Sequence, residues 1–219
     1  MVEATAVVIP ARPSEPFLGE AIASVLAEPE VTQLIVATHY GGSPTAQLVD
    51  RHPDPRIRLA LSGGPSAGEN LDAGVAQAKE PWLAFLDADD CWSPGRLATA
   101  LAAVRRTPGT ELVLGRQRAM TADGALLGVT APAPLLGAAL ITRAAADRIG
   151  SFGDSLIAQM RWLLRARELA IPTIVLDEVV LHRRRHTGNL SLLRHTELHQ
   201  AYLLLARERS AAARNGNGA

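Results

Sequence analysis

Three aspartates stand close together in the middle of the chain, directly after a short apolar run. Asp87, Asp89 and Asp90 follow residues 83–86, and no basic residue lies beside them. Carboxylates at this spacing repel one another, so they are stable together mainly when a cation or a donor-rich ligand joins them. A divalent cation completed by substrate phosphate oxygens fits this pattern. The sequence therefore predicts a metal-and-phosphate site, although Asp90 or Ser93 could instead cap the next helix.

Alternating strands and helices in the first half would position this cluster. Apolar runs predict strands at residues 4–9, 33–37, 57–61 and 82–86. Helical spacing predicts a helix capped by Ser14 after the first strand, and further helices at residues 45–51 and 67–78. This alternation indicates βαβ units and a mainly parallel sheet. Ligands bind at the carboxyl ends of such strands, which is where the aspartates lie.

The second half is less regular but continues the α/β pattern. Asp123-Gly124 predicts a hairpin turn. Helices are predicted at residues 97–104, 156–169 and 191–209, and strands at 111–116, 173–176 and 179–182. The second of these helices is expected to point Leu156, Met160, Leu163 and Leu164 inward. We expect one domain over residues 1–209 and a disordered tail over residues 210–219.

Composition excludes several classes of protein. The chain has 219 residues, a formal net charge of zero and one cysteine, Cys91. The balanced charge argues against a nucleic-acid partner, and a lone cysteine excludes a disulfide framework within the chain. The N-terminus lacks the features of a signal peptide, and no window has the roughly 18 apolar residues that span a bilayer. These features predict a cytoplasmic protein without a membrane span.

Several motifs together resemble the family 2 glycosyltransferases. In the first half they are Val7-Val8-Ile9-Pro10, the helix at residues 18–26, and Phe85-Leu86-Asp87-Ala88-Asp89-Asp90-Cys91-Trp92-Ser93-Pro94. In the second half they include the segments at residues 140–143, 149–154, 162–169 and 182–191, which fall in the family's order. The resemblance extends from about Ala4 to about Ser191. It implies the GT-A (nucleotide-diphospho-sugar transferase) fold, an α/β fold with a Rossmann-like, mostly parallel sheet flanked by helices.

The resemblance also implies a ligand and a set of binding residues. The expected ligand is a nucleotide-diphosphate sugar, with Mg²⁺ or Mn²⁺ as cofactor and inversion at the anomeric carbon. By position, Asp87 resembles the acid that contacts the donor's ribose, and Asp89 resembles the metal ligand beside the diphosphate. Pro10 falls in the expected donor site. Arg184 and His186 belong to a basic segment that resembles the one closing near the diphosphate.

Three regions depart from the family's pattern and make the active site degenerate. Thr38 and His39 stand near the place of two acids that help to hold the nucleotide, and Glu69 replaces an expected arginine. Gln159 stands at the expected position of the general base, and an amide cannot accept a proton at neutral pH. Asp154 is the nearest acid in sequence, but it matches another family position and is expected to cap the following helix. The catalytic base is therefore unknown.

Two hypotheses about function remain open. The first is a divergent hexosyltransferase-like enzyme that uses the Asp87 and Asp89 corner with an unidentified base and acceptor. The second is an inactive protein of the same fold, a pseudoenzyme that binds a nucleotide, a peptide or a partner protein. The intact metal corner favours the first. The leucine-rich stretch at residues 192–205 predicts either the seam of a homodimer or closure of the core.

Overall fold

The structure is a computed structural model that describes residues 3–189 and 193–216. The chain divides into two compact units, Met1–Arg184 and Arg185–Ala219. The described part of the first unit carries a nine-stranded sheet and the whole acidic cluster.

Parallel strands form the first half of the sheet. The elements in chain order are β1 (Thr5–Pro10), α1 (Leu18–Leu26), β2 (Val31–Thr38), α2 (Pro44–Asp50), β3 (Ile57–Leu61), α3 (Ala67–Gln77) and β4 (Trp82–Phe85). The strand order is β3-β2-β1-β4, and all three pairings are parallel. Every residue of β1 is buried, as expected for a strand covered on both faces. The predicted βαβ arrangement of this half is confirmed.

Helix starts in this half differ in how they are capped. The Ser43 hydroxyl accepts a hydrogen bond from the backbone N–H of Ala46 at the start of α2, 3.1 Å away. Helix α3 begins with a reciprocal capping box between Ser66 and Glu69. The predicted Ser14 cap of α1 is wrong, because the helix begins only at Leu18 and its N-cap residue makes no side-chain cap.

The second half of the sheet is mixed. Its elements are β5 (Cys91–Trp92), α4 (Arg96–Arg106), β6 (Leu112–Met120), β7 (Leu126–Ala133), a single 3₁₀ turn (Leu136–Ala138), β8 (Leu140–Thr142), α5 (Arg143–Ile149), α6 (Ala158–Glu168) and β9 (Thr173–Arg184). The order continues β4-β8-β6-β9-β5, and β7 pairs with β6. Among the described strands of this half, β6 and β9 run parallel, while the other pairs are antiparallel. The α/β class is confirmed, with its parallel part concentrated in the first half.

Three predictions for this half have clear outcomes. The turn at Asp123-Gly124 is confirmed, since it joins β6 to β7 with Gly124 at φ +88°. The two strands predicted after residue 172 are one strand, β9, whose pairing with β6 absorbs shifts in register. The predicted inward face of α6 is confirmed for Leu163, which is partly buried and packs against the core, whereas Leu156, Met160 and Leu164 are half-buried and lie outside the described core clusters. Ala158, Trp162 and Ala166 are the buried residues of that helix, because Trp162 stacks on an aromatic ring, Phe152, of the preceding loop.

The sheet separates two hydrophobic cores. Val7 and Ile9 of β1 belong to one core, and the alternate residues Ala6 and Val8 belong to the other. Helices α1 and α4 pack in the first core, while α3, α5 and α6 pack in the second. Helices therefore cover both faces of the sheet. The acidic cluster lies at the carboxyl ends of the strands, outside both cores.

The second unit consists mainly of one helix, α7 (His195–Gly216). The predicted start of this helix at Ser191 lies outside the described residues. The helix includes residues 210–216, which the sequence assigns to a disordered tail, and residues 217–219 lie outside the described part. The domain boundary and the homodimer seam stay predictions. No helix among the described residues has both the length and the apolar character that crossing a bilayer requires.

Candidate functional site

The acidic cluster follows strand β4 at the centre of the sheet. The backbone N–H of Leu86 still donates to the Val8 carbonyl of β1, and the chain then turns, with the Asp90 N–H donating to the Asp87 carbonyl over 3.1 Å. Asp87 and Asp89 are half-buried, whereas Asp90 is only 4% exposed. Three carboxylates therefore lie on one short loop at the carboxyl ends of the strands.

The carboxylates in this loop disfavour one another's ionisation. Burial, followed by the charge of Asp89, raises the pKa of Asp87. Burial, followed by the charges of Asp87 and Asp89, raises the pKa of Asp90 well above its ordinary value. The exposed Arg183 opposes both shifts. Excess negative charge of this kind is relieved by a bound cation, which agrees with the chemistry predicted from the sequence.

Helix capping does not explain the acidic cluster. The Asp90 carboxylate accepts the backbone N–H of Arg184 at 2.8 Å. Helix α4 is capped instead by Glu28, which is buried and accepts the N–H groups of Gly95 at 2.7 Å and Leu97 at 2.9 Å. The alternative that Asp90 or Ser93 caps this helix is therefore wrong, because a residue distant in sequence takes that position.

Gln159 lies next to the acidic loop, in the first turn of α6. Its amide Nε2 donates to Oδ1 of Asp87 over 2.8 Å, which lowers the pKa of Asp87 against the effect of burial. The structure thus brings together two residues that the sequence assigned to one site. A group that donates to a carboxylate and cannot accept a proton orients Asp87 but does not act as a base.

Asp154 contributes no cap to the following helix. It is exposed, and helix α6 has Ile157 at its N-cap with no side-chain hydrogen bond, so the predicted capping role is wrong. The loop that carries Asp154 is held instead by Asp72 of α3. That carboxylate accepts the N–H groups of Phe152 at 2.8 Å and Gly153 at 3.1 Å. No local sequence pattern indicates the role of Asp72, because its partners lie far along the chain.

The two basic residues predicted to contact the donor differ in their surroundings. Arg184 is only 1% exposed, and its guanidinium donates to Asp89 O, Ala122 O and the Glu20 carboxylate. His186 belongs to the second unit, where its Nδ1 accepts the N–H of Gly188. Direct donor contacts by Arg184 and His186 stay predictions. The exposed cation whose charge reaches the acids is Arg183, which the sequence placed only within a basic segment.

The carboxyl ends of β1 and β2 form the neighbouring part of the edge. Pro10 pairs in register with Ala37 of β2. Thr38, at the position of an expected acid, is fully buried, while the next residues, His39 and Tyr40, are exposed. This edge therefore offers a nucleotide no carboxylate from the end of β2, and the predicted donor contact of Pro10 stays a prediction.

Glu69, which replaces an expected arginine, has a local structural role. Its carboxylate accepts the backbone N–H of Ser66, and the Ser66 hydroxyl accepts the N–H of Glu69, both over 3.1 Å. The neighbouring Asn70 is buried and donates to Ala11 O at 3.3 Å, which ties α3 to the end of β1. The Ser-x-x-Glu spacing is a recognisable signal of a capping box and accounts for the acid at this position.

The protein supplies oxygen ligands but not a complete metal cage. No three His, Cys, Asp or Glu side chains in the described part of the chain are grouped to hold a metal ion. Half-buried carboxylates at Asp87 and Asp89 are suitable donors for Mg²⁺ or Mn²⁺, which commonly takes its remaining ligands from water and substrate phosphates. The donor set is thus compatible with a cation that is bound together with a diphosphate.

Two curated proteins match part of the chain in sequence. The chain is 32% identical to the succinoglycan biosynthesis protein ExoO of Rhizobium meliloti (strain 1021) over 130 residues, 58% of this chain and 37% of that protein. It is 31% identical to ExoU of the same strain over 101 residues, 44% of this chain and 29% of that protein. The matched segments therefore span about a third of these curated relatives.

Solved structures with a similar fold include S. aureus TarS. A crystal structure of TarS 1-349 in complex with UDP-GlcNAc has a TM-score of 0.64 and 17% sequence identity, covering 85% of this chain and 60% of that one. Its complex with UDP has a TM-score of 0.68 and 16% identity, covering 83% and 60%. The GT-A fold predicted from the sequence is thus confirmed.

A sequence model of one family covers the acidic loop and the strands that position it. The model described as Glycosyl transferase family 2 matches residues 6–124, more than half of the chain. The chain belongs to glycosyl transferase family 2.

Proposed function

We propose that the chain binds a nucleotide-diphosphate sugar together with Mg²⁺ or Mn²⁺ at the Asp87–Asp90 loop and transfers the sugar with inversion. The observation that carries the proposal is the group of mutually repelling carboxylates at the carboxyl end of β4. A shared cation and diphosphate would relieve this repulsion. Membership in a glycosyltransferase family and the UDP complexes of TarS support a nucleotide donor.

Each residue of the loop has a distinct part in this proposal. Asp89 would be the ligand of the cation, and Asp87, held by Gln159, would contact the donor's ribose. Arg183 would add positive charge beside the leaving diphosphate. When bound, the cation supplies Lewis-acid stabilisation of the leaving group.

The transfer step needs a proton acceptor that Gln159 does not provide. The acceptor's hydroxyl oxygen bonds to the anomeric carbon, the bond from that carbon to the diphosphate breaks, and the diphosphate leaves with the electron pair. The hydroxyl proton must pass to a base, and the amide at the expected position cannot take it. Loss of a general base typically slows such a step by about 10²–10⁴-fold. We therefore expect slow transfer.

The Gln159–Asp87 hydrogen bond also favours a second candidate function. A neutral amide that satisfies Asp87 would preserve the donor site after loss of chemistry. In that case the chain would be a noncatalytic protein that binds the nucleotide sugar. The two candidates share the binding step and differ only in turnover.

Calorimetric titration with a panel of nucleotide-diphosphate sugars, each with and without Mn²⁺, tests the shared step. UDP and UDP-GlcNAc are the first ligands to use. We expect binding that strengthens with Mn²⁺ and loses this dependence in Asp89→Asn. The matched control is Asp147→Asn, which neutralises an exposed acid on α5 and should bind as the wild type does. Wild-type binding with the same affinity in the presence and absence of Mn²⁺ would overturn the proposal. Release of free sugar from the bound ligand would indicate a transferase, and binding without release would indicate a noncatalytic binding protein.

A further inference from the structure

The side chain of Arg184 is a buried cation next to the acidic loop. Its guanidinium lies at the end of β9 and makes contacts with three separate parts of the first unit. Nε donates to the Asp89 carbonyl over 3.0 Å, Nη1 donates to the Ala122 carbonyl over 2.7 Å, and Nη2 donates to a Glu20 carboxylate oxygen over 2.6 Å. The guanidinium carbon also lies 4.4 Å from the centre of the Phe17 ring. One side chain therefore joins α1, the β6–β7 turn and the acidic loop.

The acidic loop is held by Arg184 at two consecutive residues. The side chain binds the main-chain carbonyl of Asp89, and the backbone N–H of Arg184 binds the carboxylate of Asp90 over 2.8 Å. These contacts fix the peptide unit from which the Asp89 side chain projects. Asp89 itself is half-buried.

Only arginine can make this set of contacts. A guanidinium offers five N–H donors in a rigid plane, whereas a lysine ammonium is a compact point charge. Desolvating a charge offsets much of the stability that its partners return, and the carboxylate partner here, Glu20, is itself 59% exposed. Stability alone is therefore a weak explanation for a buried arginine at this point.

We infer that Arg184 is a positioning residue that sets the direction of the Asp89 carboxylate toward the cation and the diphosphate. This inference rests on the proposed function. It is an alternative to the direct donor contact that the resemblance implies for Arg184, and it places the specific effect of the residue on the metal-dependent part of binding. Outer-shell partners of metal ligands typically change metal affinity by about 10–100-fold when they are lost.

The test compares Arg184→Lys with Arg56→Lys by calorimetric titration with UDP, with and without Mn²⁺. Arg56 is a suitable control because it also donates to two backbone carbonyls, Val31 O and Leu26 O, and to a carboxylate, but at the amino end of β3. In Arg184→Lys we expect the gain in UDP affinity caused by Mn²⁺ to fall by about 10–100-fold. Affinity without Mn²⁺ should stay within about twofold of wild type. Arg56→Lys should retain the full gain.

Glu20→Gln provides a second variant if Arg184→Lys does not fold. It keeps a hydrogen-bond acceptor for Nη2 and removes only the carboxylate charge, and we expect a smaller loss of the Mn²⁺-dependent gain. An undiminished gain in Arg184→Lys, or in Glu20→Gln where that variant is the one measured, overturns the positioning role. Equal weakening with and without Mn²⁺ also overturns it, since that is the effect of a purely structural residue. A wild-type protein without any Mn²⁺-dependent gain overturns the proposed function itself, and this result is distinct from the others.

Discussion

At the residue scale, the side chain that contacts Asp87 determines whether this position can supply a general base. Gln159 donates to that carboxylate over 2.8 Å, so the position normally expected to hold a base holds a neutral donor instead. The neighbouring acid Asp154 is exposed on the loop before α6. For a chain that binds a donor as we propose, this arrangement predicts slow transfer.

Gln159→Asp should raise the turnover of the donor by about 10²-fold, because an aspartate can accept the proton that an amide cannot. The measurement is release of UDP from the tightest-binding UDP-sugar with Mn²⁺ present and water as acceptor. Gln159→Asn is the matched control, because asparagine has the same side-chain length as aspartate but no charge. This variant should not exceed the wild-type rate. Equal rates in the two variants would show that a missing base is not the cause of slow turnover.

Asp54 and Arg56 form an ion pair far from the site, with a defined pH dependence. Hydrogen bonds from Arg56 lower the pKa of Asp54 from 3.8 to about 2. A lowered pKa in the folded state means that the ionised carboxylate contributes stability above the ordinary pKa and loses it as pH falls through about 2. Asp54→Asn should therefore lower the urea midpoint at neutral pH, and its difference from wild type should shrink on acidification. A difference that stays constant down to the lowest pH contradicts this pairing.

At the element scale, the ends of helices show where local sequence rules succeed and where they fail. Ser66 and Glu69 carry the spacing of a capping box, and the structure shows both of its hydrogen bonds. Ser14 has the right residue type to cap α1, but the helix starts only at Leu18. Helix α4 takes its cap from Glu28, 67 residues before Gly95. A cap supplied from so far along the chain leaves no local trace in the sequence.

Substitution of two serines distinguishes these cases. Ser66→Ala should lower the free energy of unfolding by about 1 kcal/mol, because it leaves an N–H at the start of α3 without its cap. Ser14→Ala is the control and should change stability by less than about 0.5 kcal/mol, as for an exposed residue without a structural role. Chemical denaturation of both variants gives the two values. A loss in Ser14→Ala as large as that in Ser66→Ala would mean that Ser14 has a structural role which its position before α1 does not reveal.

The same distinction applies to the candidate site. Asp87 and Asp89 could be assigned from sequence because an apolar strand and its polar end are contiguous, and the parallel strands β1–β4 follow from similar local patterns. The bond from Gln159 to Asp87 joins residues 72 apart, and the bond from Arg184 to Asp89 joins residues 95 apart. Such partners depend on how distant elements pack. For this reason the acids could be located from sequence, whereas the hydrogen-bond partners of Arg184 could not be.

At the scale of the whole molecule, the packing of the sheet determines where a ligand can bind and so raise the free energy of unfolding. Cores on both faces leave the carboxyl edge of β1, β2 and β4 as the place where polar side chains collect. A ligand that binds only the folded chain raises the free energy of unfolding. The increase grows with the logarithm of the ratio of ligand concentration to Kd. Binding at this edge should therefore be visible as a change in global unfolding.

UDP and Mn²⁺ together should raise the unfolding free energy by about 2.7 kcal/mol when UDP is at 100 times its Kd. UDP at the same concentration without Mn²⁺ should give a smaller increase, because in the proposed site the cation binds both Asp89 and the diphosphate. Thermal unfolding followed by circular dichroism provides the measurement, with Asp89→Asn as the variant that should lose the extra increase. The same increase with and without Mn²⁺ would contradict a shared cation.

Anomalous diffraction from a crystal soaked with Mn²⁺ and UDP would show whether Asp89 binds a cation together with the diphosphate. We predict an anomalous peak in bonding contact with the Asp89 carboxylate and with a phosphate oxygen of UDP. UDP bound with no anomalous peak at Asp89, or Mn²⁺ bound only at a remote surface, would contradict this prediction.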